Sequence, residues 1–174
     1  QSVSASSTAL SFQVPVDTQG DGNVLDAGGA LTYGANGQKD WYKEFVLANP
    51  DATDYLDEAR DKMDYNADGD KTDQFQLCTM YLNIYDGTIP PVLQQSIPMT
   101  PKCIVTTYPN GGLDIDNDGA NDPIFDIVDQ TGASNLSGKA VRVRLWWCAR
   151  SSDRPEDFLL FRVLDSTIAL CNQP

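Results

Sequence analysis

The sequence predicts an α+β domain, mainly antiparallel β-sheet with one short helix and several acidic, glycine-bearing loops. Three observations carry this. Several stretches alternate apolar and polar residues, one stretch has helical spacing, and the pattern Asp-x-(Asp/Asn/Gln)-x-Asp-Gly occurs three times. At 174 residues the chain matches one domain. Residues 1–9 are Ser-rich and expected to be flexible or to contact another subunit, and residues 10–174 hold a single β-rich unit.

The elements follow in order. Leu10, Phe12, Val14 and Val16 alternate with Ser11, Gln13 and Pro15, a strand that Pro15 confines to an edge or an end. Gly28-Gly29, Gly34 and Asn36-Gly37 mark turns around a short strand at Ala30–Tyr33, and Asp40–Leu47 reads as another strand. Thr53–Met63 reads as the helix. Thr53 or Asp54 would cap it, Asp57 and Glu58 suit its start, Arg60 and Lys62 its end, and Tyr55, Leu56, Ala59 and Met63 make an apolar stripe. Strands are then expected at Phe75–Tyr85, Lys102–Tyr108, Ile124–Val128, Lys139–Arg150 and Phe158–Leu170, the last bending at Asp165-Ser166. In Lys139–Arg150, Val141, Val143, Leu145, Trp147 and Ala149 share one face, and Arg142, Arg144, Trp146, Cys148 and Arg150 the other.

Composition excludes several function classes. No apolar run reaches the ~18–20 residues of a membrane helix. The chain has no histidine, which removes Ser-His-Asp and Cys-His nucleophile activation and imidazole acid/base chemistry. A net charge of −13 disfavours nucleic acid as a partner and favours cations. The acids are 22 Asp and 3 Glu, a bias toward turns and metal loops over helix interiors.

Cys78, Cys103, Cys148 and Cys171 form no CxxC. An even count points to two disulfides and an oxidising compartment, against four buried thiols. A hairpin joining Phe75–Tyr85 to Lys102–Tyr108 would bring Cys78 to Cys103, leaving Cys148 for Cys171. Gln1 in place of Met suggests a processed product.

The three loops carry the chemistry. Their candidate ligands are Asp17, Gln19, Asp21 and Asp26; Asp64, Asn66, Asp68, Asp70 and Asp73; and Asp114, Asp116, Asp118 and Asp122. Each loop puts oxygen-bearing side chains at positions 1, 3 and 5, Gly at 6 and a further Asp at 9 or 10. Calcium takes six to eight oxygens, and alternate positions on a tightly turning loop point them inward. Phe75 and Phe125 stand at position 12 of the second and third loops, where an EF-hand has its bidentate Glu. The remaining ligand must therefore come from the earlier Asp or from elsewhere. Two or three Ca²⁺ ions are expected. The competing reading is three solvated acidic turns, with Gln19 making the first loop the weakest match.

One of Trp146 and Trp147 is expected in the core and the other at a subunit contact or a sugar, the contact set being Leu10, Phe12, Val14 and Trp146. Arg142, Arg144, Arg150, Arg154 and Arg162 make the C-terminal third basic, which suits head-to-tail assembly or ordinary solvated strand faces. Asn135-Leu-Ser137 is a glycosylation sequon.

Ser7-Thr-Ala-Leu-Ser-Phe-Gln-Val-Pro-Val-Asp17, Ala30-Leu-Thr-Tyr-Gly34, Lys139-Ala-Val-Arg-Val-Arg-Leu145 and Leu164-Asp-Ser-Thr-Ile-Ala-Leu-Cys-Asn172 resemble the globular domains of type IV pilin-like proteins, minor pilins and type II secretion pseudopilins. The resemblance covers about the first and last 35 residues. It implies a helix followed by an antiparallel sheet, a secreted filament subunit and, in some members, structural calcium. The hydrophobic N-terminal helix of that family is missing from this sequence. The chain is then either the soluble fragment, or a subunit assembling otherwise, with residues 1–16 adding a strand to a neighbour's sheet. The resulting expectation is a non-enzymatic, extracellular, bacterial, calcium-binding and disulfide-bonded subunit or tip component of a pilus-like fibre, partnered by itself or other subunits. A calcium-dependent adhesin or carbohydrate-binding domain is the alternative, and a secreted hydrolase with paired Asp a third.

Overall fold

The computed structural model describes residues 3–5, 8–17, 19–33, 42–51, 53–66, 68–86, 88, 90–108, 120–129, 131, 133–134, 140–150 and 159–169. Ten strands and one helix lie among them: β1 (Val3–Ala5), β2 (Ala9–Gln13), β3 (Tyr42–Ala48), β4 (Tyr55–Asp57), α1 (Glu58–Asp61), β5 (Gln74–Tyr85), β6 (Leu93–Pro98), β7 (Ile104–Thr107), β8 (Phe125–Val128), β9 (Ala140–Arg150) and β10 (Leu159–Ala169). All described pairings are antiparallel, in the order β1-β2-β3-β5-β7-β9-β10, with β4 and β6 also on β5 and β8 on β9.

The 12-residue β5 is the spine. Its second half pairs Thr79–Tyr85 with β3, and its first half pairs Gln74–Gln76 with β4, so β3 and β4 run the same way along one edge. The opposite edge takes β7 on the first half and β6 on the second: the carbonyls of Gln74, Cys78 and Met80 accept from the N–H groups of Tyr108, Cys103 and Met99. Both faces of the first half of this spine are covered. Leu47, Cys78, Ile104, Ile124, Phe125 and Leu145 form one core cluster, and Phe75, Val105, Trp146 and Cys148 form a second, closed over by Leu56, Tyr65 and Leu77.

The fold is therefore mainly β, and the α+β class predicted from the sequence is corrected. The helix expected over Thr53–Met63 is a single turn of four residues. Tyr55, Leu56 and Asp57 leave it to pair with Gln76, Phe75 and Gln74, which satisfies backbone groups at the edge of β5. Asp57, in place of Thr53 or Asp54, is the cap, accepting from the Arg60 N–H, and Lys62 ends the turn in the left-handed region at φ 57°.

The N-terminal segment is used within its own chain. β1 pairs with β2, β2 with β3, Ala5 and Leu10 pack on the first core cluster, and Phe12 meets Phe45 at 5.7 Å. That pairing removes the basis for donating residues 1–16 to a neighbour, and it places Leu10 and Phe12 against their own sheet. Val14 is half-buried. Trp146, also expected at a subunit contact, is only 9% exposed, whereas Trp147 is 40% exposed. Ala30–Tyr33 contributes two bridge pairs, Leu25 with Leu31 and Pro15 with Tyr33.

The faces of β9 divide as its alternation predicts: Val141 and Leu145 are buried on one side, Trp146 and Cys148 on the other. β10 continues through Asp165-Ser166 without leaving the ladder, and the bend expected there is absent. Two arginines of the basic C-terminal third are neutralised inside the chain. Arg142 holds Asp165 through two contacts of 2.9 and 2.5 Å, and buried Arg144 holds Asp122 at 2.6 Å. Arg150, Arg154 and Arg162 have side chains outside the described residues, as does the sequon at 135–137.

The Arg142 guanidinium draws the Asp165 carboxyl below its ordinary value. A lowered folded-state value contributes stability that is present above the ordinary carboxylate range and lost as the pH falls through it. Because the pair is partly exposed, Asp165→Asn should cost no more than about 1 kcal/mol, a melting-temperature loss of roughly 2–4 °C at neutral pH. Melting curves of the two proteins should converge as the pH is lowered below about 4.

Candidate metal centre

The second acidic loop joins α1 to β5, and one side chain ties its two ends together. Glu58, 0% exposed, accepts from the Tyr65 N–H through Oε1 and from the Asp73 N–H at 3.4 Å through Oε2, while its own N–H donates to the Asp73 carbonyl at 3.0 Å. Tyr65 then turns its ring onto Phe75 at 6.5 Å, fixing the loop to the second core cluster. Within the loop, Gly69 adopts φ 98°, a left-handed backbone that a side chain would strain. Its N–H donates to Asp64 Oδ2 at 3.1 Å. Asp68 Oδ1 accepts from the Asp70 N–H at 2.9 Å, and Asp70 Oδ1 from the N–H and hydroxyl of Thr72 at 2.8 and 3.0 Å.

These turns bring carboxylates together. Oxygens of Glu58, Asp70 and Asp73 lie within 4.8 Å of one another, the single such group of acids or thiols among the described residues. The Asn66 amide bridges Asp68 Oδ2 and Asp73 Oδ2 at 2.9 Å each. Asp64 Oδ1 is buried without a hydrogen-bond partner. Two carboxylates at this separation repel by roughly 1 kcal/mol in water and about 3 kcal/mol at an effective dielectric of ~20.

The ionisation equilibria register the crowding. Burial, with the Asp73 and Asp64 carboxylates adding to it, raises Glu58 above its ordinary value. Burial and the neighbouring Asp68 and Asp70 likewise raise Asp73, against the Asn66 amide. Asp68 is held down, first by the Asp70 N–H. The donor set is all oxygen and strongly anionic, which fits a hard divalent cation such as calcium and suits neither soft nor redox metals.

Of the sequence-predicted ligands, Asp64, Asn66, Asp68, Asp70 and Asp73 all fall in this loop. Glu58 is the residue that sequence reasoning missed. It stands six positions before Asp64 and supplies the buried carboxylate whose place at position 12 is taken by Phe75. Its one visible signal was being one of only 3 Glu in the chain.

The first loop is organised differently. Asp17 accepts from its own loop's N–H groups at Gln19, Gly20 and Gly22, at 3.0, 2.6 and 2.7 Å. Those contacts, Gly22 foremost, lower its carboxyl. Asp21 accepts from Asn23, and Asp26 from Gly28 and Ala30. Gln19, Asp21 and Asp26 are exposed, and no three acids converge in this loop. In the third loop, Asp114, Asp116 and Asp118 lie outside the described residues, and Asp122 is engaged by Arg144. No protein-family model, curated protein or solved structure matches the chain.

A cation and a proton both relieve the repulsion at Glu58, which gives Glu58→Gln a crossed effect. The neutral amide keeps an acceptor for Tyr65 and removes one negative charge. In chelator the variant should melt roughly 2–4 °C above the parent, about 1 kcal/mol. In excess calcium it should melt below the parent. Parallel thermal melts in the two buffers check the reversal of sign.

Proposed function

We propose that this chain is a non-enzymatic, calcium-stabilised structural domain of the bacterial cell exterior, serving as a subunit or tip component of a pilus-like fibre. The observation that carries the calcium reading is the fully buried Glu58 carboxylate facing those of Asp70 and Asp73, with Asp64 Oδ1 left without a donor. Such a group is stabilised by a divalent ion and destabilised without one. At millimolar extracellular calcium even a site with a Kd of ~10⁻⁴–10⁻³ M fills, so the ion would act as a constant structural part.

The fibre reading draws on the resemblance of the chain's ends to pilin-like domains and on β10. That strand terminates the sheet order, and its Val163, Leu164 and Ile168 are exposed. A long apolar edge strand is a liability unless a partner covers it.

An oxidising location would also bridge cysteines. Cys78 and Cys103 are free thiols here, yet Cys103 donates its N–H to the Cys78 carbonyl at 3.1 Å and both pack on the first core cluster. Burial raises the Cys78 thiol, so it would be inert once the fold has closed. Cys148 is buried in the second cluster, and Cys171 lies outside the described residues.

Calcium binding the native state alone adds RT ln(1 + [L]/Kd), about 2.7 kcal/mol at a hundredfold excess over Kd. The melting temperature should therefore rise by roughly 5–10 °C on adding calcium to chelator-treated protein, and less with magnesium. Asp68→Ala should blunt the response. An unchanged melt with no metal in elemental analysis contradicts the calcium reading. Electron microscopy of native material tests the fibre, and peptide mapping of a non-reduced digest tests the Cys78–Cys103 bridge. Monomers alone, or alkylatable thiols at both positions, contradict the respective parts.

A further inference from the structure

The upper half of the sheet has a second face, turned away from the core. In register across it stand Ser11 on β2, Glu44 on β3, Asn83 on β5 and Ser96 on β6, a polar row spanning four strands. The next row on the same face is Ala9, Val46, Tyr81 and Pro98. Along these rows lies a shallow, largely open cleft of about 280 Å³ lined by Val46, Ala48, Pro50, Tyr81, Asn83, Leu93 and Ser96. The residues one step along these strands, Leu47, Met80 and Phe45, point into the core instead. The cleft is thus built mainly on strands, Pro50 being its one described lining residue outside them.

We infer that this cleft binds a neutral saccharide. The lining is amphiphilic, with one aromatic ring and aliphatic walls interrupted by hydroxyl and amide groups. That mixture matches a sugar ring, which has a C–H face and a hydroxyl rim. The polar groups are available. Neither the Ser96 nor the Tyr81 hydroxyl makes a hydrogen bond to a described residue. Asn83 directs its amide nitrogen toward Glu44 and the Tyr85 hydroxyl at 3.5 Å each, and its carbonyl oxygen accepts from no described residue.

Glu44, accepting from Ser11 at 3.2 Å and from Tyr85 at 2.9 Å, stiffens the row and places a negative charge beside the cleft. Among the described residues no lysine or arginine lines it, and the chain carries −13 overall, so phosphates and acidic sugars are disfavoured. The volume falls just below the ~300–1,000 Å³ usual for ligand clefts, which suits a short saccharide more than a large cofactor. Binding here is independent of the metal reading, because the acidic loop adjoins Gln74 at one end of β5 and the cleft lies along Tyr81 and Asn83 toward the other.

The test is titration of the full chain with lactose, maltose, cellobiose and chitobiose, read by backbone amide chemical shifts. At least one should bind with a Kd of about millimolar, with shifts concentrated at Tyr81–Tyr85 and Leu93–Ser96. Asn83→Ala and Ser96→Ala should each weaken it about tenfold without changing the circular dichroism. Tyr81→Ala should abolish it. Chelator should leave sugar binding intact at a temperature where the metal-free protein is folded, which keeps this result separate from failure of the calcium reading. Absence of shifts with all four sugars overturns the inference, as do shifts confined to another surface. Binding of anilinonaphthalene sulfonate that Tyr81→Ala removes, without sugar binding, would identify an apolar protein-docking groove and also overturn it.

Discussion

A single buried carboxylate sets the conditions for the region where the acidic loop meets the sheet. Glu58 is removed from water, accepts from both ends of the loop that follows it, and faces other carboxylates across less than 5 Å. Burying a charge in that company is unfavourable unless something positive compensates it. The loop is closed by hydrogen bonds that favour its geometry and by charges that oppose it. A bound cation would resolve the conflict, letting the loop's oxygens work together with its backbone.

This conflict matters beyond the loop because of its attachment to β5. Tyr65 lies against Phe75, and Phe75 against Trp146, so the loop's conformation bears on the second core cluster and through it on β9. The Glu58 N–H bond to Asp73 continues the edge contact that β4 makes with β5. On the calcium reading, chelation is therefore expected to loosen β4, α1 and the start of β5 before it disturbs the β9–β10 hairpin, which is held by 11 register pairs of its own.

The long strands were legible because period 2 divides a strand into two unlike faces, as in β9, where buried Val141 and Leu145 oppose buried Trp146 and Cys148. The helix was misread because Tyr55, Leu56, Ala59 and Met63 have helical spacing, while the competing strand partner, Gln74–Gln76, lies some twenty residues away and leaves no local sign. β6 escaped notice since five of its six residues are exposed, so it shows no alternation. At the candidate metal centre the local loop pattern picked out Asp64 to Asp73. Glu58 was invisible because its importance comes from burial, and the ion pair of Asp122 with Arg144 was equally so, because nothing nearby in sequence announces it.

Amide hydrogen exchange with and without calcium tests the central claim most directly, since the N–H groups of Tyr65 and Asp73 donate to Glu58 and that of Gly69 to Asp64 in the adjoining loop. The account predicts that calcium slows exchange at these three amides by about tenfold or more, with smaller effects at Leu56 and Asp57 and almost none across β9 and β10. Equal exchange in both conditions, or protection spread evenly over the sheet, would contradict it.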